Sequence, residues 1–167
     1  MSDSVEWALH CCTVLATLPA DQALPAARLA EFHEVPPAYL AKAMQALTSA
    51  RITESRSGPL GGYRLARPPA EVTLLQVVLA VDGEATAFQC REIRQRGPAA
   101  APVAKAYRRP CGIARAMWRA EDAWRAELAA STVGDLVAEL LATVAPAQLV
   151  KGAEWMQAVE ITRRNRT

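Results

Sequence analysis

Apolar side chains recur at three- and four-residue intervals through the first 50 residues, and prolines divide this stretch into three parts. Such spacing places the apolar positions on one face of a helix. We predict helices over about 3–17, 25–32 and 38–50, with Asp3 or Ser4 as the first cap. The predicted apolar positions are Val5, Leu9, Cys12, Val14 and Leu15 in the first helix and Tyr39, Leu40, Ala43, Met44 and Leu47 in the third.

A short β-hairpin is predicted directly after these helices. Residues 52–55 and 63–66 have the composition of strands, and the segment between them, 57–62, carries the glycines of a tight turn. A fourth helix is predicted from Thr73 to Val81, with Gly83 as its stop. Three helices and a hairpin within about 70 residues are typical of a winged helix-turn-helix, a DNA-binding scaffold.

The second half of the chain begins with a predicted loop. Residues 84–110 contain three prolines and show no periodicity. A long amphipathic helix follows over 112–130, and a capping box at Thr132–Asp135 starts another helix that reaches about Thr143. The tail Arg163–Arg166 is expected to be disordered. The apolar stripe of the long helix is formed by Ile113, Met117, Ala120, Trp124 and Leu128.

These elements predict a mainly α fold with a small β-hairpin wing. We expect a DNA-binding domain at 1–83, a loop at 84–111, a helix pair at 112–150 and a C-terminal tail at 151–167.

Charge supports a nucleic-acid partner only locally. The whole chain carries a net charge of +2 with 22% charged residues, which does not by itself indicate a nucleic-acid partner. Between Val35 and Pro69, however, the sequence contains five basic residues and only one acidic residue, Glu54. Such an excess on the third helix and hairpin is what phosphate contacts require, although a solvated charged face is the alternative. The five basic residues are Lys42, Arg51, Arg56, Arg64 and Arg67.

Several classes of protein are disfavoured. The longest stretch without a charged residue, Trp7–Ala20, is too short for a membrane span, and the N-terminus lacks the basic region of a signal peptide. We therefore expect a cytoplasmic protein with no membrane partner, in which the four cysteines are thiols or ligands. No nucleophile–base pair, phosphate loop or carboxylate motif indicates an enzyme or a small-molecule substrate.

Several short motifs lie along the first half of the chain. They are Trp7-Ala8-Leu9, Leu29-Ala30-Glu31, Tyr39-Leu40, Gly58–Tyr63, Leu65–Pro68, Thr73–Val78 and Val81–Gly83. Together these motifs resemble the Rrf2 family of bacterial winged-helix regulators, and the resemblance covers about residues 5–128. The resemblance implies a homodimer, paired through the helix at 112–130, that binds a double-stranded DNA operator and represses promoters. Two features depart from the family. Ser57 precedes Gly58 at the wing tip, where arginine is usual, and the loop has only two cysteines instead of three closely spaced ones.

Within that family, the chain is similar to redox-sensing members whose [2Fe–2S] cluster is shared between subunits. The resemblance implies that Cys90 and Cys111 hold one iron, while Glu6 and His33 of the other subunit hold the second iron, with one cluster per subunit. A neutral imidazole and a carboxylate bring less negative charge than two thiolates, which should raise the reduction potential. The resemblance also implies that Trp7 shields the cluster and changes rotamer with redox state.

Each of these residues also has an ordinary structural explanation. His33 can be a surface or capping side chain, Glu6 can serve the helix dipole, and Trp7 can be a packed aromatic. Cys90 and Cys111 can be free or disulfide-forming thiols, which would make the protein a cluster-free thiol switch. Cys11 and Cys12 are expected in the core. Cys90 and Cys111 lack the paired cysteine spacing that structural zinc sites usually show. A protein-interaction module that has lost DNA binding is a further alternative.

The DNA contacts follow from helix-turn-helix geometry, in which the third helix enters the major groove. Its outward N-terminal side carries Ala38, Tyr39, Lys42 and Gln45. Gln45 is the best candidate for a base contact, because an amide pairs bidentately with adenine. The phosphate-contact candidates are Arg28, Lys42 and Arg64, and Arg56 is the groove probe of the wing.

Overall fold

The computed structural model describes residues 1–58, 60–98, 100 and 107–164, and it is mainly helical with one two-stranded antiparallel sheet. This confirms the predicted fold class. The elements are α1 (Asp3–Ala16), α2 (Ala26–His33), α3 (Pro37–Ser49), β1 (Thr53–Arg56), β2 (Gly62–Leu65), α4 (Leu74–Asp82), α5 (Gly112–Ala130), α6 (Val133–Thr143) and α7 (Pro146–Arg164).

The core forms where the apolar faces of the first helices meet. α1 packs against α3, α4 and α6, and α2 packs against α3. Cys11 and Cys12 are fully buried there, as predicted, and burial raises the pKa of each thiol to about 12. Tyr39 is an exception to the predicted inner face, since it is 60% exposed. One residue along a helix is a 100° rotation, so Leu40 faces inward and Tyr39 does not.

N-terminal caps were predicted for α1 and α6, and the structure confirms only the second. α1 begins at Asp3, so the cap predicted at Asp3 or Ser4 is wrong by one residue. Ser2 occupies the cap position, but its hydroxyl donates to a carboxylate oxygen of Asp82 at 2.5 Å instead of capping α1. The capping box predicted at Thr132 and Asp135 is confirmed at the start of α6.

The wing is a short antiparallel hairpin. β1 pairs with β2 from Thr53 opposite Leu65 to Arg56 opposite Gly62, one residue away from the predicted strands. The pairing continues beyond the strand ends, since the Ala66 N–H donates to the carbonyl oxygen of Ile52 at 3.0 Å. Gly62 has a φ of 148°, and an added Cβ would lie 2.4 Å from the carbonyl carbon of Leu24. This position therefore requires glycine.

The C-terminal helix α7 was not predicted. The segment expected to be a tail is helical through Arg164, so the predicted disorder of Arg163 and Arg164 is wrong, and Asn165 and Arg166 lie outside the described residues. Trp155, Met156 and Val159 pack against the core. Across the described residues, we find no helix that is both long and apolar enough to span a bilayer.

Candidate metal centre and nucleic-acid interface

Cys90 and Cys111, which are far apart in the sequence, line the same pocket. The pocket has a volume of about 580 Å³ and lies between residues 88–94 and the start of α5. Both thiols are half-buried and form no disulfide with any described residue. The structure therefore brings together the two sulfur ligands predicted from the sequence.

Arg94 joins the two sides of the loop that carries these thiols. Its guanidinium pairs with the Glu92 carboxylate and donates to the carbonyl oxygen of Arg109 at 3.1 Å. The Tyr107 hydroxyl in turn donates to the carbonyl oxygen of Arg94 at 2.7 Å. The hydrogen bond to Glu92 raises the pKa of Arg94 most, and the charges of Cys111 and Cys90 add to the rise. A positively charged side chain thus lines the same pocket as both sulfurs.

Cys111 also occupies a favourable position at a helix end. It is the N-cap of α5, and its Sγ accepts a hydrogen bond from the backbone N–H of Ala114 at 3.2 Å. The N-terminus of a helix carries a partial positive charge. An electron-rich sulfur, such as one bound to a metal, is stabilised by this environment.

Glu6 lies on the exposed first turn of α1, in a different pocket from the thiols. His10 follows one turn later on the same face, and both residues line a pocket of about 390 Å³ between α1 and α6. His10 was not among the ligands predicted from the sequence. Its spacing of four residues from Glu6 places the two side chains next to each other on the helix.

His33, the predicted nitrogen ligand, sits behind His10 at the end of α2. The His10 and His33 ring centroids are 5.5 Å apart, and the Phe32 and His33 rings form a T-shaped contact with their centroids 5.0 Å apart. Its Nε2 atom is buried and has no hydrogen-bond partner among the described residues. Burial, and secondarily the His10 imidazole, hold the pKa of His33 below its ordinary value.

The four predicted ligands do not converge within one chain. The described residues that line the thiol pocket include neither Glu6 nor His33. In the described part of the chain, no group of three or more His, Cys, Asp and Glu side chains could hold a metal ion. Trp7, the predicted gating residue, is half-buried beside Glu6 and packs against the core.

The exposed N-terminal half of α3 carries the side chains predicted to meet DNA. Ala38, Tyr39, Lys42 and Gln45 are all exposed, and the ammonium group of Lys42 lies 5.9 Å from the centre of the Tyr39 ring. Their exposure on the helix side opposite the core leaves them able to enter a groove.

The arginines predicted to contact phosphates or the groove are engaged with their own chain. Arg28 pairs with Glu31, and Arg64 pairs with Glu54 on the neighbouring strand at 2.5 Å. Arg64 also donates to the carbonyl oxygen of Ala20, and Arg56 donates to that of Asp21. Contact with DNA would therefore exchange intramolecular partners for phosphates at these positions.

α5 exposes four of the five residues of the apolar stripe predicted from its sequence, and the fifth, Leu128, is half-buried. Ile113 is 69% exposed, Met117 is 44% exposed and Trp124 is 41% exposed. The face that turns inward instead contains the buried Ala114 and the ion pair between Glu121 and Arg125. A helix that buries polar side chains and exposes an apolar stripe indicates a further interaction surface.

Comparisons with known proteins show which family the chain belongs to. The family model described as "Rrf2: Iron-dependent Transcriptional regulator" matches residues 1–139. Rv1287 of Mycobacterium tuberculosis, named as an HTH-type transcriptional regulator, is 29% identical over 164 residues, covering 98% of this chain and 94% of that protein. YwgB of Bacillus subtilis, with the same type of name, is 33% identical over 95 residues; this match spans 57% of the chain and 61% of YwgB.

Two solved structures show the same fold. CymR, the global cysteine regulator of Bacillus subtilis, superposes with a TM-score of 0.65 at 21% identity, covering 83% of this chain and 96% of CymR. IscR of T. potens superposes with a TM-score of 0.64 at 16% identity, covering 90% of this chain and 95% of IscR.

Proposed function

Because the chain belongs to the Rrf2 family of DNA-binding transcriptional regulators, we propose that it is a homodimeric repressor whose operator affinity depends on the redox state of a [2Fe–2S] cluster. The observation that carries this proposal is the pocket shared by Cys90 and Cys111. In the proposal, these sulfurs hold one iron of each cluster, and the other subunit supplies the ligands of the second iron.

The residues of the thiol pocket fit such a group. The two half-buried sulfurs line this pocket together with Arg94, and Cys111 also lies at the N-terminus of α5. Both features stabilise negative charge. A [2Fe–2S] cluster needs four ligands, and one chain brings only two of them to this pocket. When bound, the cluster would supply a reversible one-electron oxidation and reduction.

Glu6 and one imidazole are the proposed ligands from the partner subunit. The family resemblance implies His33, but the Nε2 atom of His33 is enclosed by its own chain. His10 is exposed and lies one turn after Glu6 on the same face of α1. We therefore propose Glu6 with His33 or His10, and separate substitutions of the two histidines distinguish these sets.

The apolar stripe of α5 is the proposed dimer contact. Its side chains are exposed in a single chain, and pairing two copies through the stripe would remove them from water. A symmetric pair also places two winged domains at a fixed separation, which a dimeric regulator matches to the spacing of its half-sites. A change at a site shared between subunits can therefore alter operator affinity.

DNA reading is assigned to α3 and the wing. Gln45 is proposed to contact a base edge, with Ala38 and Tyr39 beside it, while Lys42 contacts phosphate. Arg28 and Arg64 are further phosphate contacts, and Arg56 is the wing contact. On an operator selected from a randomised duplex pool, Gln45→Ala should relax base preference at one position. Lys42→Ala should weaken all sequences alike and reduce the salt slope by about 1.

Mixed dimers test whether the ligands come from two subunits. One chain carries Cys90→Ser and Cys111→Ser, and a differently tagged chain carries Glu6→Ala with His10→Ala and His33→Ala. Neither homodimer has a complete cluster site. The mixed dimer keeps one, in which the sulfurs come from one chain and the carboxylate and imidazole come from the other. After anaerobic purification, we expect visible absorption, iron and acid-labile sulfide only in the mixed dimer, at half the content of the native dimer. A colourless mixed dimer beside a coloured native dimer would refute sharing between subunits.

Trp7 is proposed to transmit the redox state to the winged domain, because it directly follows Glu6 on α1 and packs against the core. Trp7→Ala should reduce the difference in operator affinity between the oxidised and the reduced protein. Trp7→Phe should retain more of this difference. An unaltered ratio in Trp7→Ala would remove Trp7 from the proposal.

A cluster-free thiol switch is the second candidate, and the shared pocket of the two thiols favours it too. Oxidation would join Cys90 and Cys111 in a disulfide, releasing two protons and passing two electrons to the oxidant. A colourless, iron-free protein whose operator affinity still responds to oxidation through these thiols would establish this alternative.

A further inference from the structure

The C-terminal helix α7 is docked on the last turn of α2. The ring centroid of Trp155 lies 5.1 Å from that of Phe32, and a Cβ added at Gly152 would lie 3.8 Å from Phe32 Cζ. One turn beyond Trp155, Val159 is only 7% exposed and joins the core. Successive turns of α7 thus hold its position, although the helix lies beyond the residues matched by the family model.

The turn that α7 supports leads directly into α3. Glu34 has φ 53° and ψ 44°, a left-handed conformation that residues other than glycine rarely adopt. The N–H of Val35 donates to the carbonyl oxygen of Ala30 at 3.0 Å, but no described side chain caps the start of α3. A shift at the end of α2 would therefore move the N-terminal half of α3, which carries the exposed DNA-reading side chains.

We propose that α7 is a positioning element for DNA reading, in which Trp155 acts through Phe32 to fix the orientation of α3. This inference rests on the DNA-binding part of the proposed function and is independent of the cluster. Trp155 and Phe32 are positioning residues, because each acts on the turn between α2 and α3 and neither is assigned a contact with DNA.

Operator affinity provides the first test. In the full chain, Trp155→Ala should raise the Kd for the selected operator about threefold to tenfold, the loss expected for one aromatic contact. The slope of affinity against salt should stay the same, because no phosphate contact is removed. Trp155→Phe should restore most of the affinity. Gln157→Ala, an exposed and uncharged neighbour on α7, is the matched control and should bind like the native chain.

Amide hydrogen exchange of the DNA-free protein tests whether α7 positions α3, without relying on DNA binding. Trp155→Ala should accelerate exchange at the Val35 amide, whereas Gly152→Ala should slow it. The added methyl group meets Phe32 at an ordinary contact distance and removes the flexibility of a mid-helix glycine. If the native chain bound no operator, the DNA-binding proposal would fail. The exchange rate of the Val35 amide would still show whether α7 positions α3.

Native-like exchange at Val35 in Trp155→Ala, together with native operator affinity and a lower Tm, would overturn the inference. It would then leave Trp155 as a residue that stabilises the fold without positioning α3. Should Trp155→Ala fail to fold, Gly152→Ala decides the question. Unchanged Val35 exchange in Gly152→Ala would likewise reject the proposal that α7 positions α3.

Discussion

Replacing Met117 with serine should weaken the homodimer by about tenfold to eightyfold. The Met117 side chain is 44% exposed on the apolar stripe of α5. Full burial of a methionine side chain is worth about 1.5–3 kcal/mol, so burial of the exposed part is worth about 0.7–1.3 kcal/mol. A two-fold symmetric interface contains the residue twice, which gives about 1.3–2.6 kcal/mol. At about 1.4 kcal/mol for each factor of ten, this energy corresponds to the stated change in the dimer Kd.

Sedimentation equilibrium of the cluster-free chain over a range of concentrations measures this Kd. Val150→Ser is the control, because Val150 is an apolar side chain on α7 that is 54% exposed. The control should dimerise like the native chain, and thermal unfolding should show that both variants are folded. A native Kd for Met117→Ser would refute the reasoning, since it would mean that the α5 stripe does not lie in the interface.

Three further predictions concern the described structure itself. Gly62→Ala should lower the free energy of unfolding by about 3 kcal/mol or more, because it combines backbone strain with a steric clash. Gly58→Ala should lower it by only about 1–2 kcal/mol, because Gly58 has a φ of 99° but open space around it. Equal losses of stability in thermal unfolding would contradict the clash at Gly62. At pH 8, iodoacetamide should label the two pocket thiols and spare the two core thiols of α1, whose pKa is about 12, as peptide mass spectrometry would show. Hydrogen bonding by the Ser2 hydroxyl lowers the pKa of Asp82 in the folded protein. The ionised carboxylate therefore stabilises the fold above its unfolded pKa of about 3.9, and this stabilisation is lost as the pH falls through the lower folded pKa. Asp82→Asn should therefore flatten the loss of stability below about pH 4 in urea unfolding, and an unchanged pH dependence would contradict this assignment.

Features governed by short-range signals were predictable from the sequence. The bounds of α5 agree with the prediction, because a loop without periodicity gives way to a long stripe at Gly112. The capping box at Thr132 is equally local, since its two hydrogen bonds join residues three positions apart. The wing was predicted to within one residue from its turn glycines.

Features that depend on distant contacts were not predictable in the same way. α7 has apolar residues scattered around its circumference, so its sequence shows no stripe, and its docking depends on Phe32 more than a hundred residues earlier. The shared pocket of Cys90 and Cys111 depends on Arg94 bonding across the loop to Arg109. The sequence supplied both thiols through a family resemblance, but only the fold places them in one pocket.

The operator affinity of the anaerobically purified dimer, measured before and after reduction, tests the central claim most directly. The account predicts a coloured protein whose Kd for the selected operator changes at least about tenfold on reduction, a coupling of about 1.4 kcal/mol. Replacing both Cys90 and Cys111 with serine should abolish the colour and the redox response together. A coloured native protein with equal affinity in both redox states would contradict redox sensing, and a redox response that survives loss of both thiols would contradict the site.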